Sequence, residues 1–87
     1  MTTLPDHPAL ARMFRMQWEE TQQNYVLLYP EGMVKLNQSA AEILKCCDGR
    51  RSVPELVQEL EQRFGMTGLQ AQVDDFLQAA AERGWLV

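Results

Sequence analysis

Polar and apolar residues alternate with period two across Arg15-Met16-Gln17-Trp18-Glu19-Glu20, which predicts a strand with Met16 and Trp18 on one face. A polar stretch, Thr21-Gln22-Gln23-Asn24, separates it from Tyr25-Val26-Leu27-Leu28-Tyr29, an aromatic and aliphatic run suited to a second strand. The fully apolar character of that run implies cover on both faces, or one face left for a partner. Pro30-Glu31-Gly32 then reads as a turn, because Pro30 has no N–H for a ladder and Gly32 is free to take positive φ. Met33 to Leu36 reads as a third strand folding back on the second.

After Asn37 the period changes to that of a helix. Asn37 and Ser39 both supply N-cap chemistry, and Ser39-Ala40-Ala41-Glu42 fits a capping box. The first helix carries Ala40, Ile43, Leu44 and Cys47 on one stripe, and Asp48-Gly49 is its expected end. Ser52-Val53-Pro54-Glu55 is a second capping box, with proline in the first turn where its missing N–H costs nothing. It opens a helix with Val53, Leu56, Val57, Leu60 and Phe64 on its apolar stripe, closed by Gly65. Gly68 precedes a third helix with Leu69, Val73, Phe76, Leu77 and Ala80 on one side, ended by Gly84. Trp85-Leu86-Val87 follows as an apolar tail.

Strands joined by short links pair antiparallel, and separate runs of strands and helices indicate an α+β domain. The expected architecture is a three-stranded antiparallel sheet followed by a three-helix bundle. Residues 15–87 form its single domain. Residues 1–14 read as a flexible N-terminal arm, since Pro5 and Pro8 forbid a regular start, with Leu10, Met13 and Phe14 available to dock its end on the core.

Composition narrows the chemistry. No apolar run approaches the roughly 20 residues of a membrane span, and the N-terminus lacks the pattern of a signal peptide, so the expected compartment is the cytoplasm. The formal net charge of −4 argues against nucleic acid, which is held by cations that displace phosphate counterions. Asp74, Asp75 and Glu82 on the third helix would repel phosphate. Cys46 and Cys47 are adjacent and read as reduced thiols, with Cys47 on the apolar stripe. The only histidine, His7, lies in the arm, so neither a catalytic triad nor a metal site is assembled. The glycines sit singly at element ends, and the carboxylates fall on polar helix faces. The expectation is a protein without catalysis, metal or cofactor.

What remains is recognition. A strand at a sheet edge offers unpaired N–H and C=O groups, to which a peptide can add as a further strand. The candidate edge is Met33, Val34, Lys35 and Leu36. The candidate floor is the stripe Val73, Phe76, Leu77 and Ala80, although a Leu and Phe stripe at helical spacing is more often plain core than a groove. Lys45, Arg50 and Arg51 form a small basic patch around the first interhelical turn, a surface feature or a docking spot for an acidic partner. Two rival readings stand beside this one. One is a winged-helix DNA-binding regulator. The other is a dimerisation module that pairs the free edge, or the tail Trp85-Leu86-Val87, with a second copy.

The run Leu27-Leu28-Tyr29-Pro30-Glu31-Gly32, then Val34-Lys35-Leu36-Asn37, Ala40-Ala41-Glu42-Ile43-Leu44 and Cys47-Asp48-Gly49, resembles the PqqD family of pyrroloquinoline quinone (PQQ) biosynthesis. The likeness continues through Phe76-Leu77 and Gly84-Trp85-Leu86 and covers about residues 15–87. It implies a winged-helix-like fold and a peptide chaperone. Such a chaperone binds the precursor peptide PqqA and presents it to the radical S-adenosylmethionine enzyme PqqE, which cross-links a Glu and a Tyr of that peptide. It also implies that the peptide adds beside the third strand and packs on the third helix, at the residues named above. A monomer or weak homodimer is expected, with the enzyme docking at Arg50 and Arg51 or on the free sheet face.

Overall fold

The computed structural model describes residues 3–87. They form β1 (Arg15–Glu19), β2 (Asn24–Tyr29), β3 (Gly32–Lys35), α1 (Gln38–Lys45), α2 (Val53–Phe64) and α3 (Gln70–Glu82), the expected strands followed by helices. The sheet is antiparallel in the order β1-β2-β3, so β2 is central and the outer side of β3 is free. Tyr29 pairs with Gly32, which leaves Pro30 and Glu31 as the whole loop. Gly32 does not use the left-handed region, contrary to the expectation. The loop closes through Pro30 and Glu31, and glycine is simply the first residue of β3. The positive φ falls instead in the β1–β2 turn, at Gln23.

Cross-strand partners share a face. Leu27, paired with Met16 and Val34, points at the helices and is fully buried. Val26 lies on the opposite face between Gln17 and Lys35, yet is only 1% exposed. Trp18 shares the Met16 face but remains exposed at its margin, with its ring edge-on to Tyr25 at 5.1 Å between centroids.

The helices bury the greater part of the stripes read from the sequence. Ala40, Ala41, Ile43 and Leu44 of α1, Leu56, Val57 and Leu60 of α2, and Val73, Leu77, Ala80 and Ala81 of α3 are buried. The Ser52–Glu55 capping box of α2 is present, and Gly65 ends that helix at φ 62°. The Ser39–Glu42 box is not. Asn37 is the N-cap of α1, its Oδ1 accepting the Ala40 N–H at 2.7 Å, which places Ser39 inside the helix. Asn37 wins because it stands where the extended chain of β3 turns into the helix, with φ −76° and ψ 172°.

Residues 8–11 of the expected flexible arm are hydrogen-bonded to the rest of the chain; Met1 and Thr2 lie outside the described residues. Ala9 N–H donates to Val87 C=O at 3.0 Å and Val87 N–H returns to Ala9 C=O at 2.8 Å. Ala11 N–H donates to Trp85 C=O, and Gly49 N–H to Pro8 C=O. The arm therefore lies between the C-terminal tail and the chain after α1. Leu10 and Phe14 pack on the core as expected, whereas Met13 points to solvent. Phe14 stands between Tyr29 and Trp85, with ring centroids 5.6 and 6.5 Å away.

Candidate functional site

The free edge has a definite polarity. Beyond the end of β3, Leu36 N–H donates to Tyr25 C=O at 3.0 Å. Backbone groups in an antiparallel ladder alternate between the two sides of a strand. With Leu36 and Val34 facing β2, the N–H and C=O of Met33 and Lys35 face outward, where no strand among the described residues meets them. Side chains alternate along the perpendicular direction. Val34 is half-buried on the helix face with Leu27, and Leu36 is in the core. Met33, 50% exposed, and Lys35 lie on the opposite face. A strand added here would alternate between the helix side, opposite Val34, and the outer sheet face.

The expected floor divides. Val73, Leu77 and Ala80 are buried among the helices, and only Phe76 reaches the surface, half-buried. Val73 and Phe76 line an open cavity of about 420 Å³, but Leu77 and Ala80 do not. The cavity begins at Asn37, Gln38 and Ser39, directly after β3, and runs to Leu69, Gln72, Val73 and Phe76 in the first turns of α3. At the opposite end of β3, Tyr29 meets Phe14 and through it Trp85, which follows α3. The C-terminal end of β3 thus corresponds to the start of α3, and its N-terminal end to the end of α3.

The cavity also takes in Phe64, 43% exposed, and Met66, 53% exposed, where the stripe of α2 had predicted a buried Phe64. The end of α2 explains the difference. Phe64 is the last residue of α2 and Met66 follows the left-handed Gly65 that ends the helix, so both stand at the end of α2, past its buried residues Leu56, Val57 and Leu60. That Phe-Gly-Met pattern is the sequence signal that would have pointed to Phe64 and Met66.

The basic patch is partly spent. Arg51 Nη1 donates to Asp48 Oδ2 at 3.3 Å, and Lys45 Nζ to Glu42 Oε2 at 3.4 Å while lying over the Tyr25 ring. The Arg50 guanidinium is exposed. Cys46 and Cys47 are buried free thiols. Desolvation pushes Cys47 up to about 12, and burial raises Cys46 as well. Neither is the low-pKa, exposed thiol that nucleophilic chemistry uses. Among the described residues no three His, Cys, Asp or Glu side chains are grouped to hold a metal ion, and no helix is long and apolar enough to cross a membrane. Along α3 the acids Asp74, Asp75 and Glu82 stand without a basic stripe, and Gln70 Nε2 donates to Asp74 Oδ1 at 2.9 Å.

An α+β domain with an open strand edge and an adjoining apolar hollow is thereby defined. The family model described as Coenzyme PQQ synthesis protein D (PqqD) matches residues 24–86, and the chain belongs to that family. A curated relative from Azotobacter vinelandii, named PqqA binding protein, is 54% identical over 86 residues, 98% of this chain and 94% of its own length. Another of that name, from Methylococcus capsulatus, is 46% identical over 77 residues, 88% of this chain and 83% of its own. The solution NMR structure of the PqqD truncation of Methylobacterium extorquens PqqCD is described as a functional, stand-alone recognition element for ribosomally synthesized and post-translationally modified peptides (RiPPs). It superposes with a TM-score of 0.74 at 29% identity, covering 99% of this chain and 96% of that one.

Proposed function

We propose that this chain is a non-catalytic peptide chaperone of PQQ biosynthesis, which binds the precursor PqqA as an added strand along β3 and presents it to the radical S-adenosylmethionine enzyme PqqE. The observation that carries the reading is the outward-facing backbone of Met33 and Lys35 on a free edge. The family and the names of its relatives support the choice of peptide.

About four backbone hydrogen bonds at roughly 1 kcal/mol each supply about 4 kcal/mol. Ordering and immobilising a free peptide costs several kcal/mol. Side chains beside the edge must therefore contribute. Val34, Leu36, Val73, Phe76, Leu77 and Ala80 build the helix-side wall, Val34 and Phe76 being its reachable members. The chain acts in the cytoplasm as a monomer or weak homodimer. It meets the enzyme through Arg50 and Arg51, where the exposed Arg50 guanidinium suits an acidic partner surface. Binding both partners raises the concentration of one at the other.

Proline separates the two sides of β3. Lys35→Pro removes an outward N–H and leaves the β2–β3 ladder intact, the position where an edge strand tolerates proline. Val34→Pro removes an N–H that faces β2. The expected result is that Lys35→Pro keeps its melting temperature within a few degrees while PqqA binding by calorimetric titration weakens about tenfold, and that Val34→Pro unfolds. Unchanged binding by a folded Lys35→Pro protein would remove β3 as the site.

A further inference from the structure

We infer that the cavity beside the start of α3 is a side-chain pocket that holds one large, uncharged, apolar residue of the bound peptide, just beyond the segment paired with β3. The inference rests on the strand-addition reading above and extends it to residues that reading does not use.

Four observations carry it. The first is continuity. Asn37, Gln38 and Ser39 form the mouth and follow β3 without a break, so a strand paired with Met33 and Lys35 runs out over the cavity. The second is the lining. Ile43, Leu60, Leu69, Val73 and Phe76 make an apolar interior. The third is the lip. Phe64 and Met66 are large apolar side chains left facing solvent at the same opening. Methionine is a pliable surface against which varied apolar groups pack. The fourth is charge. Glu42 is the only charged residue of the lining, and its carboxylate is engaged by Arg63 Nη1 at 3.3 Å and Lys45 Nζ at 3.4 Å. Asn37 Oδ1 is committed to the α1 cap, and Ser39 and Gln72 at the rim are neutral. The pocket offers nothing to a charged guest. Its volume of about 420 Å³ falls in the range of small-ligand pockets, about 300–1,000 Å³, ample for one bulky side chain.

The second hollow, on the other side of the α1 start, is lined by Trp18, Tyr25, Leu36 and Lys45 and takes nothing from α2 or α3. It is not on the path of a strand leaving β3 toward α3.

The test is a titration of methyl- and amide-labelled protein with PqqA, in the wild type and in Gln72→Trp and Met66→Asp, both at exposed positions. The expected result has three parts. The Met66 and Leu69 methyls shift together with the amides of residues 33–36. Either variant weakens binding about tenfold or more, the worth of one buried apolar side chain. At saturation the amides of 33–36 still shift in both variants. An alanine scan of the large apolar residues of PqqA finds one whose loss weakens binding to the wild type but adds nothing in Gln72→Trp, since both changes remove one contact.

Shifts at 33–36 with motionless Met66 and Leu69 methyls overturn the pocket and leave strand addition standing. Methyl shifts that follow protein concentration without peptide assign the cavity to a second copy and overturn the inference. Pocket shifts without any at 33–36, or no shifts at all, overturn the strand reading and the pocket with it.

Discussion

Cys47 shows how one buried residue couples the fold to pH. Its Sγ–H donates to Ile43 C=O at 3.4 Å inside the core, and desolvation raises its pKa from an ordinary 9.0 to about 12. In the unfolded chain the thiol ionises near its ordinary value, so above that pH unfolding releases a proton that the folded state retains. Stability from this group is full below about pH 9 and is lost as pH rises toward about 12, at roughly 1.4 kcal/mol per pH unit. The urea midpoint of the wild type should fall between pH 8 and pH 10 more steeply than that of Cys47→Ala. Equal slopes in the two proteins would assign the alkaline loss to other groups. The same burial keeps Cys47 from a thiol reagent until the protein unfolds. This burial is legible in the chain itself, because Cys47 continues the Ile43–Leu44 stripe.

Elements were more legible than their ends. Period two over β1 and period 3.6 over α2 and α3 need only a sheet and a bundle that each bury one face, and the structure supplies both. The ends are set by where the chain enters, which no local pattern contains. Asn37 and Ser39 are both good caps, and the Ser39–Glu42 spacing favours Ser39. The link from β3 to α1 decides for Asn37, and Glu42 turns instead to Arg63 and Lys45. Asn37→Ala should therefore cost about 1 kcal/mol of stability, as loss of an N-cap does, while Ser39→Ala changes it by less than about 0.5 kcal/mol. Denaturant midpoints of the two variants decide the matter, and the reverse order would restore the capping box. The candidate site was half legible for the same kind of reason. The edge at Met33–Leu36 could be read from a turn and a short strand. Which of Val73, Phe76, Leu77 and Ala80 reach the surface depends on how α2 and α3 cross, and the exposure of Phe64 and Met66 on how far the end of α2 runs past its neighbours.

At the scale of the whole molecule, the two chain ends act as a clamp. Pairing of Ala9 with Asp48 and Leu10 with Leu86 places the arm between the end of α1 and the tail. Pro8 and Ala11 are buried there, and Trp85 and Leu86 are buried beneath it. The tail is thus occupied within its own chain, while β1 and β3 are the two edge strands of the sheet and β3 is the one that leads to the apolar cavity beside α3. A chain of 87 residues carries only a small margin of stability. Removing residues 1–11 strips the arm's hydrogen bonds and exposes Trp85 and Leu86, a loss of about 3 kcal/mol at roughly 1.5 kcal/mol per apolar side chain. At about 4–8 °C per kcal/mol for a domain of this size, the melting temperature should fall by roughly 12–24 °C. The edge of β3 and the pocket beside α3 contain no residue of that segment. Peptide affinity measured well below the lowered melting point should therefore match that of the full chain. A melting temperature unmoved by the truncation would mean that the arm rests on the domain without supporting it. A lost affinity in a folded truncated protein would bring the arm into the binding site, and the separation between the clamp that holds the fold and the edge that receives the peptide would fail.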